Sequence, residues 1–299
     1  LAASNLALLT GNIGKESCGV YILPEKTNSQ GAIDMGAVPG FFQGYVPVDK
    51  PGLGAMDMLE PDKLKAMYIV GENPLLTYSL TTVRKSLYAL SFLVVQDMFM
   101  TPTAEMADVV LPACSFVEKD GTYTNLERRI QGLKKILPCV GESRSDLEIF
   151  GELCKRLGCE VTEGEVSHKD AENTKRTTVD WKGKFIPVEC EGIIADDGLL
   201  LVSAPSHLYS GSFGAWSPTL LEIGEACCEI GIGEASRLGI KDGDRVMVSS
   251  KNARIELKAR LSHDVPDGVG VVHLYPTMNI MCLFGKEMLP INGNVELLS

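Results

Sequence analysis

The opening run LAASNLALLT is apolar and alanine-rich with helical spacing, and it stops at Gly11-Asn12-Ile13-Gly14, where glycine takes the positive φ that ends a helix. From Gly31 to Gly54 the text GAIDMGAVPGFFQGYVPVDKPGLG is too broken for one element and too apolar for a linker, so it is expected to pack against something. A clear alternation follows. Ala66-Met67-Tyr68-Ile69-Val70 predicts a buried strand, Gly71-Glu72-Asn73-Pro74 a turn, the residues to about Leu90 a helix, and Phe92-Leu93-Val94-Val95 a second strand. That is a βαβ unit. A helix through Ala104 to Ala107 and a short strand at Val109-Val110-Leu111-Pro112 add a second round. The pattern predicts an α/β fold, a parallel sheet with helices on both faces, whose ligand edge lies at the carboxyl ends of the strands.

Beyond Leu111, EKDGTYTNLERRIQ reads as a hairpin or extended loop, and residues 146–157 as an amphipathic helix stopped by Gly158. Residues 160–198 are polar and charged, with KDAENTKRTT at their centre, and make the natural boundary. The last hundred residues change period. Short strands at 199–202, 245–248, 254–259 and 270–273 between glycine turns predict a small barrel. The division expected is therefore an α/β region over 1–160, a connector over 161–198 and a barrel over 199–299.

Charge then removes two classes of partner. With 28 basic and 39 acidic residues the net charge is −11, which leaves no footprint for sequence-independent binding of nucleic acid or an anionic membrane. No apolar run approaches the roughly 20 residues that span a bilayer, so direct membrane insertion is not expected. The 9 cysteines are odd in number and show no C-x-x-C spacing, which argues for a reducing compartment and against a zinc ribbon or a complete cluster site. Cys154, Cys159, Cys227 and Cys228 read as buried small apolar residues. The chain opens on Leu1 as though already inside a helix and reads as part of a longer polypeptide.

The polar residues at the predicted strand ends carry the candidate chemistry. Gly71, Glu72 and Asn73 follow the first strand, where free N–H groups before a helix suit a phosphate or a pterin edge, or simply make a βα turn with an Asn cap. Gln96 and Asp97 end the second strand. A carboxylate there matches the adjacent N–H donors of a guanine edge, or caps the next helix. Thr101 and Thr103 flank Pro102 with hydroxyls on the same side, and Asp108 is either a second ligand contact or a satisfied structural acid. Arg128 and Arg129 offer planar forks to a pyrophosphate or belong to a solvated hairpin. His207 and His273 read as satisfied core imidazoles, and no nucleophilic triad is recognisable by spacing, so no catalytic residue is assigned.

Taken in order, AMYIVGENPL, FLVVQDMFMTPTAEMADVVLPACSFVEKDGTYTNLERRIQ and ASRLGIKDGDRVMVSSKNARIELKARL resemble the molybdopterin oxidoreductase superfamily, and so do LALLTGNIGKESCGV and NSQGAIDMGAVPGFFQGY near the start. The nearest branches are formate dehydrogenase catalytic subunits and the large iron-sulfur subunit of NADH-quinone oxidoreductase (complex I). The resemblance implies a C-terminal double-psi β-barrel and a bound molybdopterin guanine dinucleotide carrying molybdenum or tungsten. Gly71, Glu72, Asn73, Gln96, Asp97, Thr101 and Asp108 would contact one dinucleotide, with Asp97 on the guanine, while Ser210, Gly211, Ser212 and Asn294 would serve from the barrel.

By the same resemblance, 4Fe-4S clusters and the metal-ligating residue belong to an N-terminal part that this sequence does not include, so this piece alone would not catalyse. Electron-transfer subunits, iron-sulfur or flavin and linked to NADH, are the implied partners. The implied location is cytoplasmic, at the inner face of the membrane where such partners hold it there. Two departures lean toward the complex I type, an electron-transfer scaffold with no working metal site. The segment after Ser210-Gly211-Ser212 lacks the basic pair usual in formate dehydrogenases, and the stretch between Pro47 and Ala66 is short.

Overall fold

The computed structural model describes residues 2–24, 26–78, 80–159, 198–205, 211–275, 278–285 and 290–298. By its contacts the chain forms two units, one of Leu1–Gly54 with Pro112–Glu191 and the other of Ala55–Leu111 with Gly192–Ser299. In chain order the elements up to the connector are α1 (Ala2–Leu9), α2 (Ser29–Asp34), β1 (Phe41–Phe42), β2 (Val46–Pro47), α3 (Ala55–Met58), β3 (Ala66–Val70), α4 (Pro74–Thr77), α5 (Leu80–Ala89), β4 (Phe92–Asp97), β5 (Val109–Pro112), β6 (Gly121–Thr124), β7 (Ile130–Leu133) and α6 (Asp146–Leu157). After it come β8 (Leu199–Pro205), α7 (Pro218–Ile223), β9 (Cys227–Gly231), α8 (Ile232–Leu238), β10 (Arg245–Ser250), β11 (Arg254–Ser262), β12 (Val269–Leu274) and β13 (Ile291–Leu297).

In the first unit the expected hairpin is present, β6 running antiparallel to β7. The glycine-rich stretch before residue 54 docks through polar contacts more than apolar ones. Tyr45 donates its hydroxyl to Asp34 Oδ1 at 2.5 Å, Arg128 lies over the Tyr45 ring at 5.8 Å, and Asn28 Oδ1 accepts the Thr124 N–H at 2.8 Å. Phe41 and Phe42 nevertheless stay exposed, so the packing expected of this stretch is only partly made. Arg128 is taken up here by Asp34 and Tyr45. Helix α6 follows its sequence closely. Ser145 and Glu148 form a reciprocal capping box, and Gly158 closes the helix at φ 70°. The N–H and hydroxyl of Ser145 hold the Glu148 carboxyl below its ordinary range. Cys114 and Cys139 are joined as a disulfide, which the reading of a reducing compartment did not anticipate, and Cys159 is exposed instead of buried.

In the second unit β3, β4 and β5 form a sheet in that order, with β3 parallel to β4 in the register Ala66 to Phe92 through Val70 to Gln96. Leu93, Val95, Val83 and Leu87 make its core with Leu59, Ile69, Leu75 and Ala104. The helix expected to run to Leu90 is broken. Tyr78 is extended, at φ −120° and ψ 178°, and splits off α4 as a single turn. A turn that short carries little helix dipole, so the electrostatic argument for an anion at Asn73 loses most of its force.

The barrel is closed, in the order β10-β11-β9-β12-β8-β13. It is mixed: β11 with β9 and β12 with β8 are parallel, and the other pairs are antiparallel. Leu201, Cys228, Ile230, Val246, Val248 and Val272 are fully buried inside it, and Ile280, Leu283 and Phe284 pack into the same core. Burial, with Cys227 and Glu229 adding to it, pushes the Cys228 thiol up to about 12. His273 departs from expectation. Its Nε2 lies 3.3 Å from Glu229 Oε1 as an ion-pair contact, and neither ring nitrogen has a hydrogen-bond partner among the described residues. His207 lies outside the described residues.

Barrel closure requires a missing side chain at one point. A Cβ on Gly293 would collide with the Leu201 side chain and sit 2.5 Å from the Ser249 carbonyl oxygen. Gly293→Ala is therefore expected to cost about 1–3 kcal/mol, read as a lower midpoint of urea unfolding by circular dichroism; an unchanged midpoint would show that the strands part without penalty.

Candidate functional site

The turn after β3 and the end of β4 are level because the pairing of the two strands continues past them. Gly71 donates its N–H to the Gln96 carbonyl at 2.8 Å. Gly71 has φ +60°, and a Cβ built there would meet no heavy atom within 4 Å, so its backbone faces open space at the strand end. Glu72 accepts the Thr77 hydroxyl at 2.7 Å. Asn73, 4% exposed, does not cap α4 with its side chain. Its Oδ1 accepts the Thr103 hydroxyl at 2.7 Å, and Thr103 Oγ1 in turn accepts the Leu75 N–H at 3.4 Å.

On β4 the Gln96 side chain is wholly buried and its Oε1 accepts the Tyr68 hydroxyl. Asp97 is 8% exposed and its Oδ1 accepts the Phe99 N–H at 3.0 Å. Thr101 is also wholly buried, and its Oγ1 accepts the Ala104 N–H at 3.1 Å, opening the short 3-10 helix Ala104–Met106. The strand-end residues thus separate by exposure. Gly71 is exposed and Glu72 half-buried, whereas Asn73, Gln96 and Thr101 are buried and Asp97 keeps only 8% of its surface open to solvent.

Asp108 does not join this group. Its Oδ2 accepts the Leu93 N–H at 2.7 Å and its own N–H donates to the Leu93 carbonyl at 2.9 Å. Leu93 is four residues before Asp97 on β4, which places Asp108 roughly 13 Å away along the strand, towards its amino end.

From the barrel part of the sequence, Ser210 lies outside the described residues, and Gly211 and Ser212 begin the 3-10 helix Gly211–Trp216. The last residue of that helix, Trp216, stacks on Phe99 with ring centroids 5.0 Å apart and planes within 7°. The Phe99 N–H is the one Asp97 holds, so the stack ties this helix to the Asp97 loop. Asn294 sits on the barrel rim, paired with Ser249, in a cleft of about 310 Å³ lined also by Lys251, Arg254 and Asn292. Tyr68, Phe99, Trp216 and Asn279, taken up below, were not singled out from sequence. For the first of them the one signal available was a tyrosine on the strand before the turn, and its ring is partly exposed. Among the described residues no group of three or more His, Cys, Asp or Glu could hold a metal ion.

The donor and acceptor chemistry fits a guanine nucleotide. A guanine edge presents two adjacent N–H donors, and Asp97 supplies an acceptor carboxylate at the rim beside an open glycine backbone. Fold and edge together describe an α/β protein with a C-terminal double-psi barrel and a cluster of polar residues at the ends of its parallel strands. A family model for molybdopterin oxidoreductase matches residues 1–156, and one for the molybdopterin dinucleotide-binding domain matches residues 201–285. The chain belongs to the molybdopterin oxidoreductase family.

It is 34% identical over 333 residues to the F420-dependent formate dehydrogenase subunit alpha of Methanocaldococcus jannaschii, covering 90% of this chain and 50% of the relative. It is 29% identical over 302 residues to the NADPH-Fe(3+) oxidoreductase subunit alpha of Geobacter sulfurreducens, covering 90% and 36%. Acetylene hydratase from Pelobacter acetylenicus shares the fold at a TM-score of 0.65 and 16% identity, covering 89% of this chain and 50% of that one. The chain thus spans half or less of the length of these relatives. No helix among the described residues is long and apolar enough to cross a membrane.

Burial raises the Asp97 carboxyl above its ordinary value, against the opposing N–H groups of Phe99 and Met98. The folded state therefore holds this proton more tightly than the unfolded chain, and its contribution to stability falls as pH rises above the unfolded value of about 3.9. Asp97→Asn keeps an acceptor for Phe99 and removes the buried charge. In the apoprotein it is expected to raise the urea midpoint at pH 7, with the gain vanishing below about pH 3.9, where the acid is neutral in both states. A gain independent of pH would assign the effect to packing instead.

Proposed function

We propose that the chain is the cofactor-binding C-terminal part of a formate-dehydrogenase-like molybdopterin oxidoreductase, its dinucleotide carrying molybdenum or tungsten. The observation that supports this most is Asp97, an almost wholly buried carboxylate held at the strand end by two backbone N–H groups, in a chain whose two family matches both concern the same cofactor. In this reading Asp97 takes the N–H groups of the guanine, Gly71 and Glu72 border the nucleotide, and Asn73, Gln96 and Thr101 keep that edge in place from below. Gly211 and Ser212 approach the pterin from the barrel, with Asn294 on its rim, and Ser210 is assigned with them by the same motif. Asp108 serves by holding the start of β4.

When bound, the cofactor supplies two-electron chemistry at its metal; this chain binds and orients it. The naming of several relatives as alpha subunits supports partner subunits that carry electrons onward, through iron-sulfur clusters outside this sequence. The formate-dehydrogenase relatives favour formate oxidation over the electron-transfer scaffold of a complex I-type subunit.

Elemental analysis of the full parent polypeptide, purified from its host, is expected to find molybdenum or tungsten near one per chain; iron with neither metal would overturn the proposal in favour of the scaffold. In the same protein Asp97→Ala should lower the guanine nucleotide released on acid hydrolysis about tenfold, as loss of a charge-assisted pair predicts. Undiminished nucleotide would remove Asp97 from the guanine.

A further inference from the structure

The single turn of α4 is too short to stand on its own, since the first helical turn fixes several residues for one hydrogen bond. Both of its ends are held by side chains from elsewhere. At the start Asn73 and Thr103 bond each other, and Thr103 accepts the Leu75 N–H. At the end the Asn279 amide donates to the Leu75 carbonyl at 2.7 Å and to the Tyr78 carbonyl at 2.9 Å. These are carbonyls that a helix end leaves without an intrahelical donor.

Asn279 is itself fixed. Its Oδ1 accepts the Cys282 N–H at 3.1 Å and caps the 3-10 helix Ile280–Cys282, whose Ile280 and Met281 are buried in the barrel core together with Leu283 and Phe284. Both donor positions and the acceptor of this amide are therefore in use. They join a rigid point of the barrel to backbone lying 204 residues earlier in the chain.

We infer that Asn279 is a positioning residue for the dinucleotide edge. The Gly71 N–H fixes one side of the turn to β4. Asn279 fixes the helix on the other side to the barrel, so Gly71, Glu72 and Asn73 are held in one frame with Asp97. Asn279 need not touch the nucleotide to govern how long it stays. The inference rests on the cofactor reading above.

The test uses two variants. Asn279→Ser retains a hydroxyl suited to capping the Cys282 N–H but is too short to reach the carbonyls of α4. Asn279→Asp retains the acceptor and sets an oxygen against both carbonyls. In the apoprotein, the amides of Leu76, Thr77 and Tyr78 are expected to exchange hydrogen about tenfold faster in either variant, while those of Val246 and Val248 in the barrel keep their rate. In the cofactor-loaded parent protein, well below its melting temperature, release of the guanine nucleotide should quicken by a similar factor.

Unchanged exchange at Leu76–Tyr78 would overturn the inference, and so would faster exchange with an unchanged release rate. Uniformly faster exchange, barrel included, would make Asn279 a general stabiliser and reject the positioning role. Wild-type protein carrying no guanine nucleotide would instead sink the cofactor reading, and the inference with it.

Discussion

The hydrogen bond from the Gly71 N–H to the Gln96 carbonyl is the constraint on which the candidate edge depends. Parallel strands exchange evenly spaced, slanted bonds, and this one extends the β3–β4 ladder beyond Val70. It sets the end of one strand against the end of the other. Only a residue tolerant of φ near +60° can make that bond and still turn the chain into α4, and this is why glycine stands there. The accessible backbone at Gly71 and the carboxylate at Asp97 are neighbours as a consequence of register, before any side chain is considered.

The side chains beneath the edge show what it takes to keep a carboxylate at a largely buried strand end. Gln96, Thr101, Thr103 and Asn73 are each almost wholly buried, and each has a hydrogen-bond partner, so the polar layer costs little for its burial. Asp97 is the exception. Desolvation works against its charge, and the Phe99 and Met98 amides compensate only in part. Strain of this electrostatic kind concentrates where a ligand is to be met, because a ligand with donors to give can complete what the fold leaves incomplete.

Most of the architecture could be read from period alone. Val, Ile and Leu runs bounded by glycine marked β3, β4, β8, β10, β11 and β12, and Ser145, Glu148 and Gly158 marked both ends of α6. Two barrel strands escaped. In β9 the buried run opens on two adjacent cysteines and is interrupted by Glu229, and in β13 one inward position is Gly293, which packs by lacking a side chain. Among the candidate-site residues, the strand-end places of Gly71 and Asp97 were legible because the apolar runs of β3 and β4 stop beside them. Which polar residues face out and which support from below was not, since both kinds read alike in sequence. Asn279 carried no local signal beyond the general preference of asparagine for helix caps, because its partners are 204 residues away.

The sequence changes character near residue 160, but contacts divide the chain along a different line. Ala55–Leu111 and Gly192–Ser299 share one unit although the 80 residues Pro112–Glu191 separate them in sequence. Two observations within that unit explain why. Asn279 bonds the 3-10 helix Ile280–Cys282 of the barrel core to α4, and Trp216 stacks on the loop that Asp97 holds. Register sets the strand ends level, and these two contacts then tie α4 and the Asp97 loop to the barrel's 3-10 helices. Pattern along a sequence reports which elements form. Which of them depend on one another is set by a few polar side chains placed where two apolar cores meet, and those residues bind the unit together at the point where the cofactor is proposed to lie.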